Sequence, residues 1–95
     1  MKKLVLHVKK IYFDLIKSGA KPYEYRLITP YWTKRIFKRN YDIVEIHCGY
    51  PKQGDTSKII TRKWNGYFMA QIQHEHFGPE RVKVFAIDVR EHIYN

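Results

Sequence analysis

Residues 19–26 read Gly19-Ala20-Lys21-Pro22-Tyr23-Glu24-Tyr25-Arg26 and hold three charged side chains close together. The residues after the proline predict a short strand, in which alternate side chains point to opposite faces. Glu24 and Arg26 therefore share one face of the strand. Lys21 lies in the turn before the strand, which contains glycine and proline. An ammonium, a carboxylate and a guanidinium are thus predicted to converge, as in a polar binding site. The alternative is an exposed ion pair, which would contribute only about 0 to 1 kcal/mol.

The segments on either side of this stretch predict strands and helices. Residues 4–8 have the alternating apolar pattern of a strand, and residues 10–18 have the pattern of a helix that ends before a glycine. A second helix is predicted after the strand that carries Glu24. It starts at Thr29 and Pro30 and extends to about Arg39. The apolar stripe of the first helix consists of Ile11, Tyr12, Phe13, Leu15 and Ile16.

Four further strands are predicted in the second half of the chain, over residues 41–48, 58–64, 67–76 and 82–89. The last of them is the most hydrophobic run, which indicates a central strand. The dipeptide Asn65-Gly66 is typical of a two-residue hairpin turn between neighbouring strands. Five to six strands with two short helices indicate an α+β fold, built as a small mixed β-barrel.

The chain of 95 residues, 44% of them hydrophobic, predicts a single domain, residues 1–95. The apolar runs are too short to span a bilayer, and the N-terminal residues do not resemble a signal peptide. We therefore expect a soluble, cytoplasmic protein without a membrane partner. The single Cys48 excludes an internal disulfide, which fits a reducing compartment.

The net charge of +9 is distributed unevenly. Residues 1–63 contain 15 of the 18 Lys and Arg but only 5 of the 9 Asp and Glu. Such asymmetry indicates a basic surface for a polyanion, and the many aromatic residues favour nucleic acid, whose bases stack on aromatic rings. The alternative is that the excess charge serves only solubility.

The second predicted helix has a basic face opposite its apolar stripe. No acidic residue separates these cations, so neighbours four residues apart repel each other unless an anion lies across them. This favours phosphate contact, although any solvated helix face can look the same. The four cations are Lys34, Arg35, Lys38 and Arg39.

Residues 49–56 have the composition of an exposed loop. Tyr50 and Lys52 lie in this loop, and beside a polar cleft they would form a lid over a bound base. Many loops of this composition only connect two strands.

The histidines do not indicate a metal site. His74 and His76 are predicted on one face of a strand, with His47 or Cys48 as further ligands, but the chain contains no established metal-binding spacing. Cys48 lies among strand residues and is expected to be a packed thiol rather than a nucleophile. We therefore expect neither a metal nor a cofactor.

Two functions fit the charged group at Lys21, Glu24 and Arg26. In a binding site, Glu24 would accept hydrogen bonds from a base, and the two cations would hold a phosphate or a carbonyl group. In an active site, Lys21 would be a general base of lowered pKa, and Glu24 would pass a proton to a leaving amine. Binding is favoured, because hydrolysis also requires an oxyanion stabiliser and a positioned water.

The pattern Gly19-x-Lys21-x-x-Glu24-x-Arg26, after a hydrophobic helix that ends in Ser18-Gly19, resembles the signature of the ASCH family of the PUA-like superfamily. The resemblance extends over nearly the whole chain and implies a small PUA-like β-barrel. It also implies RNA or nucleotide binding. Tyr50 and the basic helix would then complete the binding surface around the motif.

One branch of that family hydrolyses the acetyl amide of N4-acetylcytidine, and another is a ribonuclease. The amidohydrolase branch has a lysine that matches Lys21, a threonine where this sequence has Glu24, and a distant glutamate whose place Glu75 would take. The resemblance therefore favours an RNA- or nucleotide-binding domain. A small hydrolase of a modified nucleoside or of RNA is the alternative, and a basic inhibitor or adaptor for an acidic protein is a further one.

Overall fold

A computed structural model describes residues 1–93, which form two α-helices and six strands. The α+β class predicted from the sequence is confirmed. Within residues 1–93, no helix is long and apolar enough to cross a membrane. In chain order the elements are β1 (Lys3–Val8), α1 (Lys10–Ser18), β2 (Tyr23–Leu27), α2 (Pro30–Ile36), β3 (Ile43–Cys48), β4 (Ile59–Lys63), β5 (Tyr67–Ile72) and β6 (Val82–Asp88).

The first sheet has the strand order β1-β3-β4. Strands β1 and β3 are parallel, which requires the long connection that residues 9–42 provide, whereas β3 and β4 are antiparallel. Alternate residues of β1 are buried, as its sequence pattern predicts. This sheet contributes Leu6, Val44 and Ile46 to the core.

The second sheet has the order β2-β6-β5 and is antiparallel throughout. Strand β6 lies in its centre, and the hydrophobic run Val84–Ile87 is fully buried. The sequence prediction of a central strand is confirmed. A strand paired on both edges is expected to be almost entirely apolar when both faces are covered.

Helix α1 has the predicted limits, but its buried face is narrower than predicted. Phe13 and Ile16 are buried, whereas Ile11 and Leu15 are exposed. The helix is followed by Gly19, which has a left-handed conformation (φ 86°) and donates its N–H to the carbonyl of Ile16 in the last turn. Glycine adopts this conformation without the steric cost that a Cβ atom adds, so the chain can turn here into β2.

Helix α2 starts as predicted, because the Thr29 side chain accepts a hydrogen bond from the N–H of Trp32. The prediction that it continues to Arg39 is wrong, since the helix ends at Ile36. Lys38 has a left-handed backbone (φ 56°), and its N–H donates to the hydroxyl of Tyr67 at 2.8 Å. A contact with a strand distant in sequence therefore accompanies the end of the helix.

The predicted hairpin at Asn65-Gly66 is also wrong. Strand β4, before this dipeptide, belongs to the first sheet, and β5, after it, pairs with β6 in the second. The dipeptide is a corner between the two sheets, with Gly66 at φ 81°. Strand β5 ends at Ile72, so neither histidine lies on a strand face: His76 lies in a short 3-10 turn, and His74 caps the start of that turn.

Candidate functional site

A cleft of about 810 Å3 lies beside the charged motif. This volume is within the range of about 300 to 1,000 Å3 that is usual for small-molecule sites. Its wall comes from β1, α1, β2, α2, the loop after β3 and the turn after β5. The ionisable and aromatic residues that line it include Lys3, His7, Lys9, Tyr12, Lys21, Glu24, Tyr25, Arg26, Tyr31, Trp32, Arg35, Tyr41, Tyr50, His74, His76 and Phe77.

The structure brings Lys21, Glu24 and Arg26 together around a buried carboxylate. Glu24 is 6% exposed, so the group is not an exposed ion pair. Arg26 Nη1 donates to Glu24 Oε2, and Lys21 Nζ lies 3.6 Å from Glu24 Oε1. Each carboxylate oxygen thus faces one cation, and the three groups together carry one net positive charge.

Arg26 connects the two sheets at the base of the cleft. Its Nη2 donates to the carbonyl of His7 on β1 at 2.8 Å, and its Nη1 also donates to the carbonyl of Tyr25 at 2.9 Å. The guanidinium carbon lies 5.1 Å from the ring centre of Trp32. Because its donors are directed at protein groups, Arg26 is a fixed positive charge rather than a mobile side chain.

Lys21 lies in an aromatic pocket. Its Nζ is 4.3 Å from the ring centre of Tyr25 and 5.6 Å from that of Tyr12, which are cation–π distances. Its backbone N–H donates to the carbonyl of Leu15, so the end of α1 positions the residue. Burial lowers the pKa of the Lys21 ammonium; the charge of Glu24 opposes this effect, and Arg26 adds to it.

A group of rings from three elements forms the wall beside Lys21. The ring of Tyr12 lies 5.7 Å from His74 and 5.8 Å from His76, and Tyr25 lies 6.2 Å from His74. His74 Nδ1 accepts the backbone N–H of His76 at 3.0 Å, which holds its imidazole beside Tyr12. Within residues 1–93, no three His, Cys, Asp or Glu side chains come together as a metal site would require.

Tyr50 also lines the cleft and is 85% exposed. Its ring stacks on His7, with the centroids 4.2 Å apart and the planes inclined by 19°. His7 Nδ1 donates to the carbonyl of Gly49 at 2.7 Å, so the imidazole is fixed beneath Tyr50. The loop predicted over residues 49–56 therefore carries an aromatic ring that lines the cleft.

The four cations predicted on one helix face do not share one. Arg35 lines the cleft, and its guanidinium stacks 3.5 Å from the ring centre of Tyr31. Lys38 and Arg39 lie beyond the end of α2, and Arg39 Nε donates to the carbonyl of Lys34. The prediction of a continuous basic helix face is wrong because the helix is too short to form it.

The sequence does not assign the aromatic residues around Lys21 to the site. Its pattern predicts Tyr12 in the helix stripe, Tyr25 on the face opposite Glu24, and His74 on a strand. The high aromatic content was a general signal, but the residues concerned come from elements that meet only in the folded chain.

Comparison with protein families, curated proteins and solved structures found no match. The functional argument therefore depends on the geometry of the cleft and on the motif at residues 19–26.

Proposed function

We propose that the chain is an ASCH-like domain with a PUA-like barrel, and that its cleft binds a nucleotide or single-stranded RNA. The observation that supports this most is the buried Lys21–Glu24–Arg26 group at the base of an aromatic cleft. A net positive charge favours an anion or an electron-rich carbonyl, and the rings beside it favour a planar base.

Within this proposal the three motif residues have different roles. Lys21 contacts the ligand, because its ammonium has three donors and, among residues 1–93, pairs with a single carboxylate, that of Glu24. Glu24 is a positioning residue, since its oxygens already face Lys21 and Arg26. The rings of Tyr12 and Tyr25 would stack on the base or enclose it.

The test compares Lys21, which lies just after the end of α1, with Lys17, which lies in the last turn of α1. Lys21→Met removes a cation that lines the cleft, whereas Lys17→Met removes an exposed cation that does not line the cleft. Binding of fluorescent single-stranded RNA and of nucleoside monophosphates is measured by anisotropy at fixed ionic strength. We expect Lys21→Met to weaken binding at least tenfold, because charged hydrogen bonds contribute about 1.5 to 3 kcal/mol. Equal affinities for the two variants, or no binding by the wild type, would contradict the proposal.

The lowered pKa of Lys21 favours amide hydrolysis as a second candidate function. A neutral Lys21 would take a proton from water, the hydroxide would attack the acetyl carbonyl of N4-acetylcytidine, and the cytosine amine would leave with a proton passed on by Glu24. Mass spectrometry of nucleosides and RNA incubated with the protein tests this. Acetate and cytidine must appear with the wild type and must disappear with Lys21→Met.

A further inference from the structure

Two distinct aromatic surfaces line the cleft. Tyr12 and Tyr25 lie around Lys21. The other surface is the stacked pair of Tyr50 and His7, which we call the Tyr50 platform. A base held at Lys21 therefore does not account for the Tyr50 platform.

The Tyr50 platform is prepared for stacking before any ligand binds. Its inner face rests on His7, which is fixed by the hydrogen bond to Gly49, and the high exposure of Tyr50 leaves its outer face to solvent. A tyrosine held this way loses little conformational freedom when a second ring stacks on it. Aromatic rings on loops beside a basic cleft are a common means of binding single strands.

The Tyr50 platform is connected to the base of the cleft through His7. The carbonyl of His7 accepts a hydrogen bond from Arg26, and Arg26 binds Glu24, which lies beside Lys21. This chain of contacts places the Arg26–Glu24 pair between the two aromatic surfaces. Lys9, directly after β1, also lines the cleft and provides a cation for a linking phosphate.

We propose that the cleft binds two adjacent nucleotides of a single strand, with one base at Lys21 and its neighbour stacked on the Tyr50 platform. This inference rests on the proposed function and selects a single-stranded oligonucleotide over a free nucleotide. A duplex does not fit, because its bases are already paired and stacked. Tyr31 is the less suitable second platform, since it is only 55% exposed, compared with 85% for Tyr50.

The experiment measures how affinity depends on ligand length. A mononucleotide and a dinucleotide that contain 2-aminopurine are titrated with the wild type, Tyr50→Ala, Tyr50→Phe and Phe68→Ala. Phe68 is a half-exposed ring that does not line the cleft, so it is the matched control. We expect the wild type, Tyr50→Phe and Phe68→Ala to bind the dinucleotide about tenfold more tightly than the mononucleotide, with additional quenching of the fluorescent base. Tyr50→Ala should lose this gain and keep its affinity for the mononucleotide.

The outcomes separate this inference from the proposed function. If the wild type binds both ligands equally, or if Tyr50→Ala keeps the gain, the Tyr50 platform is not a second base site, whereas mononucleotide binding that depends on Lys21 still stands. If no ligand binds in a Lys21-dependent manner, the proposed function is wrong and the inference with it.

Discussion

At the scale of single residues, Lys21 belongs to the charged motif and lies in an environment that disfavours its charged form. The sequence predicted its approach to Glu24 and Arg26 from strand alternation and from the turn before β2. It did not predict that Glu24 would be buried, because an alternating strand does not show which face the rest of the chain covers. Burial is what lowers the pKa of the Lys21 ammonium.

The lowered pKa of Lys21 predicts a pH dependence of stability. In the unfolded chain the lysine keeps its ordinary pKa near 10.5, so between the lowered folded value and 10.5 the unfolded state binds more protons. The free energy of unfolding of the wild type relative to Lys21→Met should therefore rise as the pH increases through this window. Urea denaturation of both proteins from pH 7 to pH 10 measures the difference. A difference that falls with pH would mean that the folded state stabilises the charged lysine.

At the scale of elements, the predictions that depend on local sequence pattern were largely correct, whereas the predicted pairing of β4 with β5 in a hairpin was wrong. The end of α1 and the start of α2 depend on glycine, proline and threonine, which the sequence displays directly. The end of α2 coincides with the contact between Lys38 and Tyr67, 29 residues away. The Asn65-Gly66 corner has the composition of a hairpin but joins two sheets, because β6 provides a partner for β5.

Arg62 is a buried cation that links three elements, a role that no pattern in the sequence indicates. It is 5% exposed on β4, its Nε donates to the carbonyl of Val89 just after β6, and its Nη2 donates to the carbonyl of Ile16 on α1. Arg62→Met should lower the free energy of unfolding by about 2 to 4 kcal/mol, because buried carbonyls lose charged donors. The adjacent and exposed Lys63→Met should cost less than about 0.5 kcal/mol. Urea denaturation of both variants tests the contrast, and equal losses would contradict it.

Helix α2 offers a matched pair of cations for a binding test. Arg35 lines the cleft and stacks on Tyr31, whereas Lys34 precedes it outside the cleft lining. Arg35→Ala should weaken RNA binding and reduce the slope of log affinity against log salt by about 1, because one phosphate contact is lost. Lys34→Ala should leave the slope nearly unchanged. Equal slopes for the two variants would show that the contribution of α2 is only general electrostatics.

At the scale of the whole molecule, the cleft is formed by segments that lie far apart in the chain. Strand β2 carries the motif and pairs with β6, where Tyr23 faces Asp88. Arg26 of the same strand reaches β1 in the other sheet. The sequence therefore predicted the α+β class and the central motif. It did not predict the cleft wall, because Tyr12, Trp32 and His74 come together only through these long-range contacts.

The net charge of +9 predicts that salt affects stability and binding in opposite directions. Salt screens the repulsion among the excess cations, so raising KCl from 20 to 500 mM should increase the melting temperature by about 3 °C, as expected for less than 1 kcal/mol in a domain of this size. The same change should weaken RNA binding, because each counterion released from the RNA gains less entropy when the salt concentration is high. Replacing Lys34 and Lys38 with Gln lowers the net charge to +7 outside the cleft lining and should reduce the thermal effect while leaving cleft binding nearly intact. A melting temperature that falls with salt would instead mean that ion pairs such as Lys21–Glu24 and Arg26–Glu24 outweigh the general repulsion.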